Sequence, residues 1–140
     1  LYNRAKQTVV LTRQFRFPVF INGHEDNLIE AAAGLLDNMD PERRIKAEAE
    51  EETGYRVENV QKIFEAYMSP GSVTEKLYFY IAEYHADDKV SQGGGLEDEG
   101  EDIEVLELTI GEALSAIESG VIVDAKTIML LYHVALKGIL

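Results

Sequence analysis

The strongest local constraint in the chain is the segment from Asp40 to Gly54. Asp40 suits a helix N-cap, where its carboxylate accepts from orphan backbone N–H groups, and Pro41 is preset for the first helical position. Gly54 tolerates the left-handed conformation that closes a helix. A helix from Pro41 to Thr53 puts Glu48, Glu51 and Glu52 at i, i+3 and i+4, on one face. Glu50 projects elsewhere, about 100° or more around the axis. Like charges so spaced repel by a few tenths of a kcal/mol per pair, and the negative end of the helix dipole lies in the same turn. A solvated polar face is one reading of such a cluster, and a cation site is the other. Hard oxygen ligands of this kind suit Mg²⁺ or Mn²⁺, with water and phosphate oxygens in the remaining positions.

Around this helix the pattern alternates. Residues 8–12 form a short β-branched, apolar run that reads as a buried strand, and Arg13 and Arg16 follow at its end. Residues 22–27 are turn chemistry, and Leu28-Ile29-Glu30-Ala31-Ala32-Ala33 resumes an ordered segment. Residues 60–68 and 77–84 read as strands joined through Ser69-Pro70-Gly71-Ser72. Residues 85–102 read as a mobile surface loop, and 103–108 as a further strand. Thr109 and Glu112 have capping-box spacing for a helix to about Ser119, and Asp124 caps a last helix carrying Ile128, Leu131, Tyr132 and Ala135. With no repeats and no linker, residues 1–140 form one layered α/β domain.

The formal net charge is -13, from 26 acidic and 13 basic residues. That balance excludes a nucleic-acid polymer as partner, because binding one requires a surface of Lys and Arg. No basic stripe for anionic lipid is present, and no apolar run approaches the roughly 20 residues that span a bilayer. The absence of Cys rules out disulfides and thiolate metal sites and fits a cytoplasmic location. Leu1-Tyr2-Asn3-Arg4 has neither an initiator Met nor a signal pattern, so the chain is expected to begin partway into the natural protein.

A second acidic run, Glu97-Asp98-Glu99-Gly100-Glu101-Asp102, is by default a solvated loop. Beside a metal helix, one of its carboxylates can complete a metal shell while another activates water. Glu99 and Glu101 face the same side if the backbone is extended. Gly93-Gly94-Gly95 provides either hinge freedom for closing over a substrate or simply a loose loop. Among the cations, Arg16 is the first choice for phosphate, since a guanidinium fork matches phosphate oxygens. Arg13 is as well suited to an ordinary ion pair. His24, His85 and His133 lack the mutual spacing of a zinc site.

Residues Gly34 to Tyr55 resemble the signature box of the Nudix hydrolases. That box runs Gly, five spacers, Glu, seven spacers, then Arg-Glu-apolar-x-Glu-Glu-x-Gly-apolar. Here Gly34 is followed by five spacers and Asp40, then six spacers and Ala47-Glu48-Ala49-Glu50-Glu51-Glu52-Thr53-Gly54-Tyr55. Asp replaces the early Glu, one spacer is missing, and Ala47 stands where an Arg normally orients a box carboxylate. Arg13-Gln14-Phe15-Arg16, Ala33-Gly34-Leu35-Leu36-Asp37-Asn38, Tyr67-Met68-Ser69-Pro70-Gly71, the triple glycine and Glu101-Asp102-Ile103-Glu104-Val105-Leu106-Glu107-Leu108 extend the likeness. They resemble the GDP-mannose pyrophosphatase branch, kin of the ADP-ribose pyrophosphatases.

The resemblance implies a Nudix-type α/β/α sandwich with a mixed β-sheet. It also implies Mg²⁺-dependent hydrolysis of a nucleotide sugar, with Mn²⁺ as a substitute: GDP-mannose to GMP and mannose 1-phosphate. The alternative substrate is ADP-ribose, giving AMP and ribose 5-phosphate, while Ala47 favours a catalytically weak nucleotide-binding domain. By the same resemblance the Ala33 carbonyl, Glu48, Glu52 and Glu101 hold metal, with Glu51 a further ligand or neighbour. Glu52 and Glu99 are the catalytic pair, Glu99 as general base. The loop is two residues longer than in the branch, so Asp98 or Glu97 is an alternative base. Arg16, Glu75 and Lys126 contact substrate. A homodimer is implied too, through an N-terminal β segment that is expected to precede Leu1.

Overall fold

A computed structural model describes residues 1–96 and 100–140. The strands are β1 (Tyr2–Asn3), β2 (Thr8–Gln14), β3 (Leu28–Glu30), β4 (Gln61–Tyr67), β5 (Lys76–Ile81) and β6 (Glu104–Thr109). The helices are α1 (Phe17–Phe20), α2 (Pro41–Thr53), α3 (Ile110–Glu118) and α4 (Ala125–Leu136). β2 is the central strand. β6 pairs along one edge from Thr8 to Arg13, while β1 and β3 share the other edge at opposite ends. β4 and β5 form a separate antiparallel hairpin. Every ladder between these strands is antiparallel, and the parallel pairing is an isolated bridge between Tyr2 and Glu83.

The alternation of side chains along β2 organises the layers. Val9 and Leu11 point into a core shared with Ala113 of α3 and Leu131 and Val134 of α4. Val10 points the other way, against Ala49 of α2, Tyr55, Val57 and Tyr84. Helices therefore cover both faces of the sheet, the α/β/α arrangement expected. Among the described residues no helix is long and apolar enough to cross a membrane.

Capping chemistry sets the helix ends that matter for the site. The Asp40 carboxylate accepts from the Glu42 and Arg43 N–H groups at 3.0 and 3.2 Å, and Gly54 closes α2 at φ +77°. Thr109 and Glu112 form the expected reciprocal box at the start of α3. Asp124 caps α4 through the Thr127 N–H at 2.9 Å. Two short elements, β1 and α1, carry no periodic signal, since two and four residues are too few to show one.

The segment read as a mobile loop is built differently. Residues 86–88 form a 3₁₀ turn, and Tyr55 bridges Lys89. Gly93–Gly95 then crosses the end of α2 as a strap. The Gly94 and Gly95 N–H groups donate to the carbonyls of Glu52 and Glu51 at 2.9 and 3.1 Å. Gly93 has φ +70° and lies so close to the Glu52 carbonyl that a β-carbon there would overlap it. Gly93 is thus required for close backbone approach, and all three glycines adopt positive φ in a strap hydrogen-bonded to α2. The strap satisfies last-turn carbonyls of α2, and the Lys89 ammonium, seated over the Tyr55 ring, adds a bond to the Thr53 carbonyl at 2.7 Å. A cation and N–H donors at this end offset the dipole that otherwise penalises an acidic last turn.

Candidate active site

The carboxylate face of α2 is turned inward. Glu48 and Glu52 are 5% and 2% exposed, whereas Glu51 is half-buried. Glu50, on another face, forms a two-point pair with Arg56 at 2.7 and 2.8 Å, away from the cluster. The Glu52 carboxylate accepts from the backbone N–H of Ala33, and its Oε2 is buried with no hydrogen-bond partner among the described residues. Desolvation, followed by the negative charges of Glu48 and Glu101, pushes its pKa up to about 8 against the opposing Ala33 bond and Arg16 charge. Ala33, Glu48, Glu101 and Arg16 are thus the groups that act on the Glu52 carboxylate.

Each member is held from behind. The Glu48 carboxylate lies against Gly34, where a β-carbon would overlap it. The same oxygen, Oε1, meets the Arg44 guanidinium in an i,i+4 pair. Glu101 accepts from the Leu96 N–H at 2.9 Å, and the strap continues to it through the Ile103 N–H bond to the Gly94 carbonyl at 3.2 Å. With these side chains turned to protein partners, no three acidic or histidine groups converge at ligand distances among the described residues. The donor set still fits a hard divalent cation. It offers an orphaned buried carboxylate oxygen, two acidic neighbours, and a glycine cradle that leaves room beside them.

The cations proposed for substrate come together through a residue that the sequence reading did not single out. Glu30, at the end of β3 and 4% exposed, accepts from Arg16 Nε at 2.6 Å and from Lys126 Nζ at 3.2 Å. Lys126 also pairs with Asp124 at 2.6 Å. Thr127, fully buried, accepts from the Ala31 N–H at 2.7 Å, which docks the start of α4 onto the segment leading to Ala33. Gly34, Pro41, Arg44, Glu48, Tyr78 and Lys126 border a common cavity of about 110 Å³. Arg13 forms an exposed ion pair with Glu104 at 3.0 Å, one of its two expected roles. Glu75 stands exposed just before β5, outside the group joined through Glu30. Glu97, Asp98 and Glu99, including the expected general base, lie outside the described residues. His133 packs edge-on against Phe64 at 5.9 Å.

Glu30 and Arg44 had signals that went unread. A lone glutamate in the apolar run Leu28-Ile29-Glu30-Ala31 requires a buried cation partner, and Arg44 stands four residues before Glu48 on the same helix face.

An α/β domain whose helices flank an antiparallel sheet, with carboxylates on one face and paired cations opposite, defines a class of enzymes with acidic sites. Comparison with known proteins narrows the class. The chain is 58% identical over 139 residues to the GDP-mannose pyrophosphatase of Pectobacterium atrosepticum, covering 99% of this chain and 71% of that protein. It is 56% and 55% identical over 141 residues to the GDP-mannose pyrophosphatases of Yersinia enterocolitica and Cronobacter sakazakii, in each case covering 100% of this chain and 73% of the relative. No family model matches the chain. The chain belongs to the GDP-mannose pyrophosphatase family.

Proposed function

We propose that the protein is a Nudix-type, divalent-metal-dependent hydrolase that cleaves the pyrophosphate of GDP-mannose to GMP and mannose 1-phosphate. The observation that carries this reading is the buried Oε2 of Glu52, which has no hydrogen-bond partner among the described residues and sits in the field of the Glu48 and Glu101 charges. The names of the relatives supply the substrate.

Glu48, Glu52 and Glu101 hold the cation, Mg²⁺ or Mn²⁺, with the Ala33 carbonyl and Glu51 as further donors. When bound, such an ion neutralises pyrophosphate oxygens and acidifies the attacking water. Arg16 and Lys126 meet the non-bridging phosphate oxygens, with Glu30 fixing both side chains in place between encounters with substrate. Glu75 binds sugar or base hydroxyls. Glu99, or Asp98 or Glu97 in its stead, accepts the proton of the attacking water. The resemblance to the Nudix branch also supports a cytoplasmic homodimer.

Initial rates on a panel of nucleotide sugars with Mg²⁺ test the reading. GDP-mannose should be hydrolysed fastest, with GMP and mannose 1-phosphate as the products. Faster hydrolysis of ADP-ribose moves the substrate assignment, and binding without turnover on any member overturns the enzymatic one.

A further inference from the structure

Arg44 occupies α2 one turn before Glu48, and its guanidinium is committed in three directions. Nε donates to the Leu35 carbonyl at 3.0 Å. Nη2 meets Glu48 Oε1, and Nη1 stands 3.8 Å from Glu51 Oε2. The Arg44 side chain is only 19% exposed and its Glu48 partner 6%, so that pair is largely shielded from water. A planar guanidinium presents its donors in a fixed fork, so one group locks the turn after Ala33 to the acidic face of the helix. The other cations nearby are not placed for this task. Lys46 pairs with Glu42 at 2.8 Å, and Arg43 is exposed. Position 47, next to Glu48, holds an alanine, which has no donor to offer.

We propose that Arg44 is a positioning residue that holds the Glu48 carboxylate and the Gly34–Leu35 backbone in the arrangement that admits a divalent cation. Arg44 thereby performs, from one turn earlier, the orienting task for which Ala47 lacks a side chain. Gly34 makes the arrangement exacting. The Glu48 carboxylate sits where a β-carbon at 34 would be, so a shift of the turn moves the carboxylate with it. This inference rests on the metal-site reading above.

The test is Mn²⁺ binding to the full chain, followed by the paramagnetic resonance of free Mn²⁺, for wild type, Arg44→Met and Arg44→Lys. Removing a group that orients a metal ligand weakens metal affinity by about 10- to 100-fold, the rise in Kd expected for Arg44→Met. Arg44→Lys should recover part of the loss, because an ammonium keeps the charge but not the fork. Activity at saturating Mn²⁺ should show KM for GDP-mannose within about twofold of wild type, since Arg44 acts on the carboxylate and not on substrate. Circular dichroism reports whether each variant is folded, and Arg44→Lys carries the test if Arg44→Met is not. A Mn²⁺ Kd within about twofold of wild type in the folded variants overturns the proposal. So does a KM that rises while the Kd stays fixed, which would make Arg44 a substrate contact. If wild type itself binds no Mn²⁺, the metal reading falls and this inference with it.

Discussion

Glu52 should make the metal-free protein less stable as pH rises, and Glu52→Gln should abolish that dependence. Burial, together with the charges of Glu48 and Glu101, raises its folded pKa from 4.5 to about 8. An acid whose folded pKa is raised binds its proton more tightly in the native state, so stability is present below the unfolded pKa and lost as pH rises between about 4.5 and 8. Each pH unit within the window is worth about 1.4 kcal/mol, so between pH 5 and pH 7 the loss is roughly 2–3 kcal/mol. That is a large share of the roughly 5–15 kcal/mol that holds a domain together. Glutamine keeps an oxygen for the Ala33 N–H and carries no charge to desolvate. Urea unfolding in EDTA at pH 5, 6, 7 and 8, at fixed ionic strength, gives the two curves. The difference in unfolding free energy between Glu52→Gln and wild type should grow with pH, since both proteins share every other titrating group. Curves that run parallel across that range, within about 0.5 kcal/mol, would refute the burial-and-charge account of this site.

Other perturbations separate the parts of the structure. Gly93→Ala forces a β-carbon into the Glu52 carbonyl at a left-handed φ and should lower stability by about 2 kcal/mol, read from the urea midpoint. Lys89→Met removes the cation over Tyr55 and the bond to Thr53, and should destabilise by about 1 kcal/mol, an effect that shrinks in high salt. Gly34→Ala overlaps the Oε1, Cδ and Cγ of the buried Glu48 side chain and forces its carboxylate to move, so Mg²⁺-dependent turnover by the folded variant should fall by about tenfold or more.

Much of this architecture could be read from local chemistry. Asp40, Pro41 and Gly54 mark both ends of α2 because capping depends on one or two residues, and Thr109 with Glu112 marks α3 in the same way. That Glu48 and Glu52 share one face also follows from helical spacing, whereas the burial of that face does not. What spacing does not reveal is pairing across long separations. Glu30 meets Lys126, 96 positions away. The triple glycine reads equally as a hinge or a loose loop, because glycine is at home in both as well as in close backbone contacts. Only its docking against the last turn of α2 singles out the last of these. Arg44 is hidden for a different reason: it stands outside the signature pattern, whose cation belongs at 47, yet from i−4 it reaches the same Glu48 carboxylate.

The high negative charge of the chain is partly local, concentrated on α2 and in the run that ends at Asp102. Such a protein repels a pyrophosphate unless cations intervene. Arg16 and Lys126 supply two of them, and both are already neutralised by Glu30 and Asp124. Divalent metal at Glu48, Glu52 and Glu101 is therefore the central claim. Its most direct test is the rate of Mg²⁺-dependent GDP-mannose hydrolysis by wild type and by Glu48→Gln, each checked for folding. Loss of a ligand to the metal should lower the rate by roughly 100-fold or more, equivalent to about 2.7 kcal/mol of barrier. A folded Glu48→Gln protein that turns over as fast as wild type would contradict the account.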